Sequence, residues 1–146
     1  MVKAVRMRRL KLALACMTAT AGLLGASAQG AEPIYGVWRN PKNTVHVNIK
    51  SCGENTCGYI VWASADAQAD ARKHGTDNLI GLQVLRNFVP AKEGAWRGKV
   101  YAPDLGMTFS GTANVVDPMS LKAKGCVIGN FLCKSQTWKR IDAAAG

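Results

Sequence analysis

Cysteine is the residue type with the clearest chemical potential in this 146-residue chain. Cys52 and Cys57 bracket four residues, and Cys126 and Cys133 bracket six. Each bracketed segment is typical of a hairpin tip, where facing residues on paired strands lie close enough for a disulfide bond. Four cysteines allow three pairings, and we predict the two local pairs, Cys52–Cys57 and Cys126–Cys133.

A zinc site is the alternative chemistry for the same four thiols. Their spacings do not match the usual pair of zinc ligands on one knuckle. A disulfide also suits a chain that leaves the cytosol, because the export route is oxidising. We therefore expect disulfides, with no metal ion and no cofactor.

Histidine and carboxylate side chains give little sign of catalysis. His46 and His74 are the only histidines, and neither has a partner at metal-ligand spacing. No serine lies in the glycine pattern of a nucleophile elbow. The aspartates of the loops are typical of turns and lack the ordered spacing of a calcium site: Asp66, Asp70, Asp77 and Asp104. We predict no catalytic residue, and a hydrolase-like enzyme that uses paired loop carboxylates remains an alternative.

The first 28 residues indicate that the chain is exported. Residues 1–11 carry five basic side chains and no acidic one, residues 12–25 carry no charge, and Ala26-Ser27-Ala28 suits a signal peptidase. A membrane anchor would need about 20 mostly apolar residues, and Cys16 lies too early for a lipoprotein cysteine. We predict a signal peptide at 1–28, one domain at 29–146 and a periplasmic location, with Gly30/Ala31 as the competing cleavage position.

Removing this leader changes the charge balance. The whole chain has a net charge of +10, whereas the predicted mature chain keeps 14 basic and 9 acidic residues, a net charge of +5. These basic residues are scattered singly and do not track a phosphate backbone, which argues against nucleic acid as a partner. A weak association with anionic lipid or cell-wall polymer is the interaction that this charge favours.

Short alternating segments predict an all-β domain. In the segment Thr44–Ser51, Val45, Val47 and Ile49 alternate with polar residues, as in a half-buried strand. The polar segment 64–78 breaks this pattern, and we expect a long loop with a short helix capped by Ser64. Strands are predicted near 36–38, 44–51, 57–63, 82–89, 95–101, 107–116, 121–127 and 135–141. Eight short strands separated by turns predict an antiparallel sandwich or a closed barrel.

An ordered set of motifs resembles the DUF2147 family of small exported bacterial proteins. The motifs are Gly36-Val-Trp38, Cys57-Gly-Tyr-Ile-Val-Trp62, Leu79-Ile-Gly-Leu82, Trp96-Arg-Gly-Lys-Val-Tyr-Ala-Pro-Asp-Leu-Gly106 and Ser135-Gln-Thr-Trp-Lys-Arg140. The resemblance implies a small antiparallel, roughly eight-stranded lipocalin-like β-barrel, and the family is not known to us as one of enzymes. One departure is Met107-Thr108-Phe109, where the family tends to have lysine followed by an aromatic residue.

The resemblance to lipocalin-like barrels assigns two roles to the aromatic residues. Trp38 on the first strand and Arg140 on the last are expected to stack and close one end. Small residues on the apolar faces would leave room for one small ligand: Gly98, Gly111, Ala113, Ala123 and Gly125. We predict that this ligand contacts Trp62, Trp96, Tyr101, Phe109 and Trp138.

Two interpretations of the domain stay open at this point. In the first, the barrel binds a small apolar or amphipathic molecule between its strands. In the second, the barrel is fully packed, because aromatic side chains on strands more often belong to a core. The packed barrel would then bind a protein or cell-wall partner by its surface. The mature chain has no transmembrane segment in either case.

Overall fold

Eight antiparallel strands close into one barrel in the computed structural model, which describes residues 33–129 and 131–141. The strands are β1 (Gly36–Arg39), β2 (Val45–Cys52), β3 (Asn55–Ala63), β4 (Gln83–Pro90), β5 (Ala95–Ala102), β6 (Met107–Asp117), β7 (Ser120–Ile128) and β8 (Phe131–Ile141). The prediction of an eight-stranded antiparallel barrel is confirmed. The predicted signal peptide lies outside the described residues.

Each strand pairs with the next along the chain, and β1 closes the sheet by pairing with β8. The closing pairs are Val37 with Ile141, Trp38 with Arg140 and Arg39 with Lys139. Because successive hairpins turn at alternate ends, the connections divide into two groups. The turns β1–β2, β5–β6 and β7–β8 share one end with the long β3–β4 connection, which we call the helix end. The turns β2–β3, β4–β5 and β6–β7 lie at the other, which we call the arginine end.

Helix α1 (Ala65–Lys73) lies in the β3–β4 connection. Ser64 caps it, since its hydroxyl oxygen accepts a hydrogen bond of 3.1 Å from the backbone N–H of Ala67. Ala71 and, further along the connection, Leu79 are buried and belong to the hydrophobic core. The predicted capped helix is therefore present and is fixed to the barrel by apolar contacts. No helix within the described ranges is long and apolar enough to span a bilayer.

Arg140 connects three segments at the arginine end. Its Nε donates to the carbonyl of Pro118 at 2.7 Å, and its Nη1 donates to the carbonyl of Tyr35 at 2.6 Å. Its Nη2 donates to the carbonyl of Pro33. The same guanidinium lies 4.1 Å from the centroid of the Trp38 ring, which is fully buried. The side chain thus fastens the segment before β1 and the β6–β7 turn to the last strand.

Gly36 makes this approach of Arg140 possible. A Cβ atom at this position would collide with Nη1 of Arg140, and the backbone has φ = 128°, which residues with a side chain rarely adopt. The Gly-x-Trp motif of the first strand therefore has a steric explanation: glycine leaves space for the guanidinium, and Trp38 provides the ring beneath it.

Four inward-facing glycines are covered by large neighbouring side chains. Side-chain atoms of Phe88 occupy the space where a Cβ of Gly98 would lie, and Val100 does the same at Gly111. Phe109 covers Gly125, and Leu85 covers Gly58. Gly98, Gly111 and Gly125 were expected to leave room for a ligand. In the structure that room is filled, because each missing side chain lets a neighbour extend across the sheet.

Both predicted disulfides are confirmed. Cys52–Cys57 joins β2 to β3, with the two Cα atoms 5.8 Å apart. Cys126–Cys133 joins β7 to β8, with a Cα separation of 4.0 Å. Each bridge lies close to its hairpin turn and fixes the register of the two strands there.

We predict that Gly98→Ala destabilises the barrel. The added Cβ would lie 2.7 Å from the carbonyl oxygen of Arg86 and nearer still to the Phe88 ring. Overpacking of this kind costs about 1–3 kcal/mol, which urea denaturation would measure. Lys99→Ala, at the next and exposed position, should change the free energy of unfolding by less than about 0.5 kcal/mol. Equal stability of Gly98→Ala and the parent chain would contradict the packing described above.

Arg140→Lys should lower the free energy of unfolding by about 2 kcal/mol, because lysine keeps the charge and cannot reproduce the forked hydrogen bonds. Arg97→Lys is the matched control, since Arg97 is exposed on the outer face of β5. Thermal and urea denaturation would compare the two variants. If both lost the same stability, Arg140 would have no special role in closing the barrel.

Candidate functional site

The inner wall of the barrel is unevenly buried. On strands β2 to β4, inward side chains such as Ile49, Ile60 and Phe88 are at most 2% exposed. On strands β5 to β8, some inward residues are buried, such as Ala113 and Leu121, whereas others, including the following five, are only partly buried. We call this second set the open wall: Val100, Phe109, Ala123, Gly125 and Trp138. The residues of this set keep some exposure to solvent.

The short first strand explains why this wall is open. β1 has four residues and pairs with β8 only from Lys139 to Ile141. Among the residues that the structure describes, the β8 edge from Phe131 to Trp138 therefore has a strand neighbour on its β7 side alone. We call this edge the seam. It includes Trp138 of the open wall.

Polar side chains share the inner face at the seam. Lys134 pairs with Gly125, and Gln136 pairs with Ala123, so both residues belong to the same face as the open wall. Both are exposed. The site therefore combines an apolar surface with an ammonium and an amide group at its edge, an arrangement suited to a molecule with an apolar body and an acidic or polar head.

Three of the five aromatic residues predicted to contact a ligand lie on the inner face. Phe109 and Trp138 are part of the open wall, whereas Trp96 is 7% exposed and belongs to the packed core. Trp138 pairs with Leu121, which is also in the core. Phe109 and Trp138 are therefore the two predicted residues with both the orientation and the exposure for ligand contact.

Trp62 lies on the outer face of β3 and is 42% exposed. It pairs with His46 across an irregularity of the β2–β3 ladder, and the two rings stack with centroids 4.4 Å apart. His46 also makes a 2.8 Å hydrogen bond with the side chain of Asn43. Partial burial, together with the charge of nearby Arg39, lowers the pKa of His46 from its usual value. The structure thus separates Trp62 from the open wall.

Tyr101 also faces outward, since it follows the inward Val100 in the alternation of β5. Its hydroxyl lies 2.9 Å from the hydroxyl of Thr76, and the guanidinium of Arg86 lies 5.1 Å from its ring centroid. These contacts fasten the segment after α1 to the outside of β5. Tyr101 thus supports the helix end rather than the open wall.

Among the described residues, the carboxyl groups of Asp70 and Asp117 both have a pKa below the usual value. Asp70 forms an exposed 2.8 Å ion pair with Lys73, which lowers the pKa of its carboxyl group through the hydrogen bond and then through charge. A general acid needs the opposite shift. Within residues 33–129 and 131–141, no three histidine, cysteine or acidic side chains come together as a metal site.

Phe88 is an important residue that the sequence pattern did not single out. It is 1% exposed and its ring extends over Gly98 and towards Gly111. The register of β4 against β5 shifts between Arg86 and Val89, and Asn87 has φ = 53°. This bulge interrupts the alternation of β4, so the inward position of Phe88 leaves no regular signal in the sequence.

Residues 36–140 match a family model described as "Uncharacterized protein conserved in bacteria (DUF2147)". The match spans the barrel from its first strand to Arg140. The chain belongs to the DUF2147 family. No curated protein matches its sequence.

A solved structure shares the fold of this DUF2147 protein. It is protein HP1028 from the human pathogen Helicobacter pylori, described as belonging to the lipocalin family. The superposition has a TM-score of 0.60 with 14% sequence identity, and it covers 76% of this chain and 84% of HP1028. At that identity the likeness establishes a lipocalin-like barrel as the fold of the DUF2147 chain.

We predict that Arg39→Gln raises the pKa of His46, because it removes a positive charge that disfavours the imidazolium. NMR titration of the His46 ring protons would measure the shift. Since burial and Arg39 hold the folded pKa of His46 below the ordinary value of 6.5, the fold favours the neutral ring, and the related part of the free energy of unfolding is fully present above pH 6.5 and is lost as the pH falls through the folded pKa. A pKa that is unchanged or lower in Arg39→Gln would contradict the assigned cause.

Proposed function

We propose that this DUF2147 protein binds one small amphipathic molecule against the open wall of its barrel. The observation that supports the proposal is a contrast in burial: inward residues such as Ile49, Ile60 and Phe88 are at most 2% exposed, whereas Phe109 and Trp138 on the inner face are only partly buried. Apolar inner faces with a few polar groups at the mouth are typical of small-molecule sites.

The arrangement of the seam favours a ligand with an acidic head. The ammonium group of Lys134 and the amide of Gln136 lie on the face where such a head would leave the barrel. Phe109 and Trp138 would contact the apolar body. A straight-chain fatty acid has this combination of groups and serves as the probe below. The lipocalin-like fold is compatible with the proposal, because the interior of an eight-stranded barrel is either filled by side chains or holds one small ligand.

We further propose that the protein works in the periplasm after removal of residues 1–28. The composition of this leader and the two disulfides support export, since disulfides persist in oxidising compartments. An exported carrier of a poorly soluble molecule needs no catalytic group. Its binding site would act through apolar contact and one positive charge at the mouth.

Palmitate should change the tryptophan fluorescence of the purified protein. Ala123→Leu should lower the affinity by about tenfold or more, because the larger side chain fills part of the open wall. Lys134→Ala should weaken the binding of palmitate more than the binding of the corresponding uncharged alcohol. Titration calorimetry would give the two affinities.

Trp62→Phe is the control, since Trp62 lies on the outer face and should not affect binding. Native mass spectrometry of protein recovered from the periplasmic fraction adds an independent test of both location and ligand. The proposal fails if that protein carries no small molecule and a panel of fatty acids gives no response. It also fails if Trp62→Phe weakens binding as much as Ala123→Leu.

A further inference from the structure

The tip of the β7–β8 hairpin carries the most exposed large apolar side chains in the described part of the chain. Phe131 is 77% exposed, Leu132 71% and Ile128 61%, and Val127 beside them is 45% exposed. β6 pairs with β7 only as far as Cys126, so these residues lie past the last β6–β7 pair, although β6 itself continues to Met107. Concentrated apolar surface of this kind marks an interaction site rather than a solvated turn.

The neighbouring turn enlarges this apolar surface. Leu105 and Met107, in and just after the β5–β6 turn, are 51% and 43% exposed. Both turns lie at the helix end of the barrel, so their side chains project in the same general direction. The helix end therefore presents an apolar edge formed by two adjacent turns.

Basic side chains lie on the outer face near this edge. A groove of about 580 Å³ runs along strands β4 to β7 and reaches Gly129 at the hairpin tip. Arg97, Lys99 and Lys124 line it. Asp104, in the β5–β6 turn, is an acidic residue beside the edge, and the one acidic residue of strands β5 to β8, Asp117, lies at the opposite end with Lys139 and Arg140. The groove is therefore complementary to anionic groups.

The backbone of the groove lysines lies further from the apolar tip than the depth to which interfacial side chains are buried. Ile128 is four positions after Lys124, which is about 13 Å along a strand. Apolar side chains of interfacial segments are buried roughly 5–10 Å at the boundary between headgroups and acyl chains. With Ile128 at that boundary, the long side chain of Lys124 reaches the level of the lipid phosphates.

The Cys126–Cys133 bridge supports such a contact mechanically. It lies directly beneath the tip, two residues before Ile128 and two after Phe131. The tip thus keeps its apolar residues together without neighbouring strands. Less conformational entropy is lost on binding when the contact residues are already ordered.

We propose that the hairpin tip inserts into the surface of a membrane that contains anionic phospholipids, with the groove cations on the headgroup phosphates. An apolar tip alone gives weak, reversible binding, and a basic patch supplies the second attraction needed for stable association. A second copy of the chain fits this surface poorly, because the same positive groups would face each other. The inference uses the outer face and the tip, so it is independent of ligand binding at the open wall.

The test measures cosedimentation of the chain from Gln29 onward with lipid vesicles. This form contains every described strand and lacks the predicted leader, which would itself attract lipid. Vesicles of phosphatidylcholine with 30% phosphatidylglycerol should bind the protein, and binding should fall as salt is raised. Two variants should each reduce the partition coefficient by about tenfold or more: Ile128→Ser with Phe131→Ser, and Lys99→Glu with Lys124→Glu.

Matched controls are available at the arginine end. Val116→Ser with Met119→Ser removes two exposed apolar side chains there, and Lys92→Glu reverses an exposed charge. Both should leave vesicle binding unchanged, and circular dichroism should show the same fold for all variants. Three results would each overturn the proposal: equal binding to pure phosphatidylcholine, equal loss in the controls, or a concentration-dependent dimer that the tip variant abolishes in place of vesicle binding.

Discussion

The Arg140 guanidinium reinforces the β1–β8 pairing that closes this barrel. A first strand of four residues gives only three pairs with β8, which is little to hold the two ends of a sheet together. Arg140 supplements these pairs with hydrogen bonds to three carbonyl groups and a stacking contact on Trp38. Since arginine stays charged throughout the physiological pH range, the closure does not depend on protonation. The rest of the interior is arranged around this fastening.

The same short strand determines where the interior stays accessible. Closing contacts are concentrated at the arginine end, where Trp38 and Ile34 are fully buried. Further along β8 there is no described partner on the side of β1, and the inner residues of β5 to β8 keep some exposure. The interpretation of a packed barrel describes the hydrophobic core, to which strands β1 to β7 all contribute buried residues. The interpretation of a ligand-binding barrel is the one proposed for the open wall.

Alternation in the sequence predicted most of the strands, because antiparallel strands with one buried face follow it closely. It failed where the ladder is irregular. Ile60 faces inward, so regular alternation would also place Trp62 inside. A bulge in β3 opposite His46 and Val47 changes the face on which the later β3 residues lie. Trp62 is therefore on the outer face, where its ring stacks on His46. Tyr101 is different, since alternation with the inward Trp96, Gly98 and Val100 already assigns it to the outer face.

The glycines show a second limit of sequence reasoning. A small inward residue was interpreted as space for a ligand. Protein interiors pack as densely as organic crystals, so neighbouring side chains usually occupy such space. Gly98 and Gly125 are small because Phe88 and Phe109 lie over them. Which neighbour fills the space depends on pairing across strands, and that information becomes available only with the register.

The position of the second disulfide follows from the same topology. A two-stranded hairpin is marginally stable alone, and the β7–β8 hairpin loses its β6 neighbour beyond Cys126. On the other side, β1 reaches only the last residues of β8. The Cys126–Cys133 bridge lies at the point where support from β6 ends, so a covalent bond replaces the missing strand contacts. The bridge therefore holds the two strands together next to the exposed apolar residues of the tip.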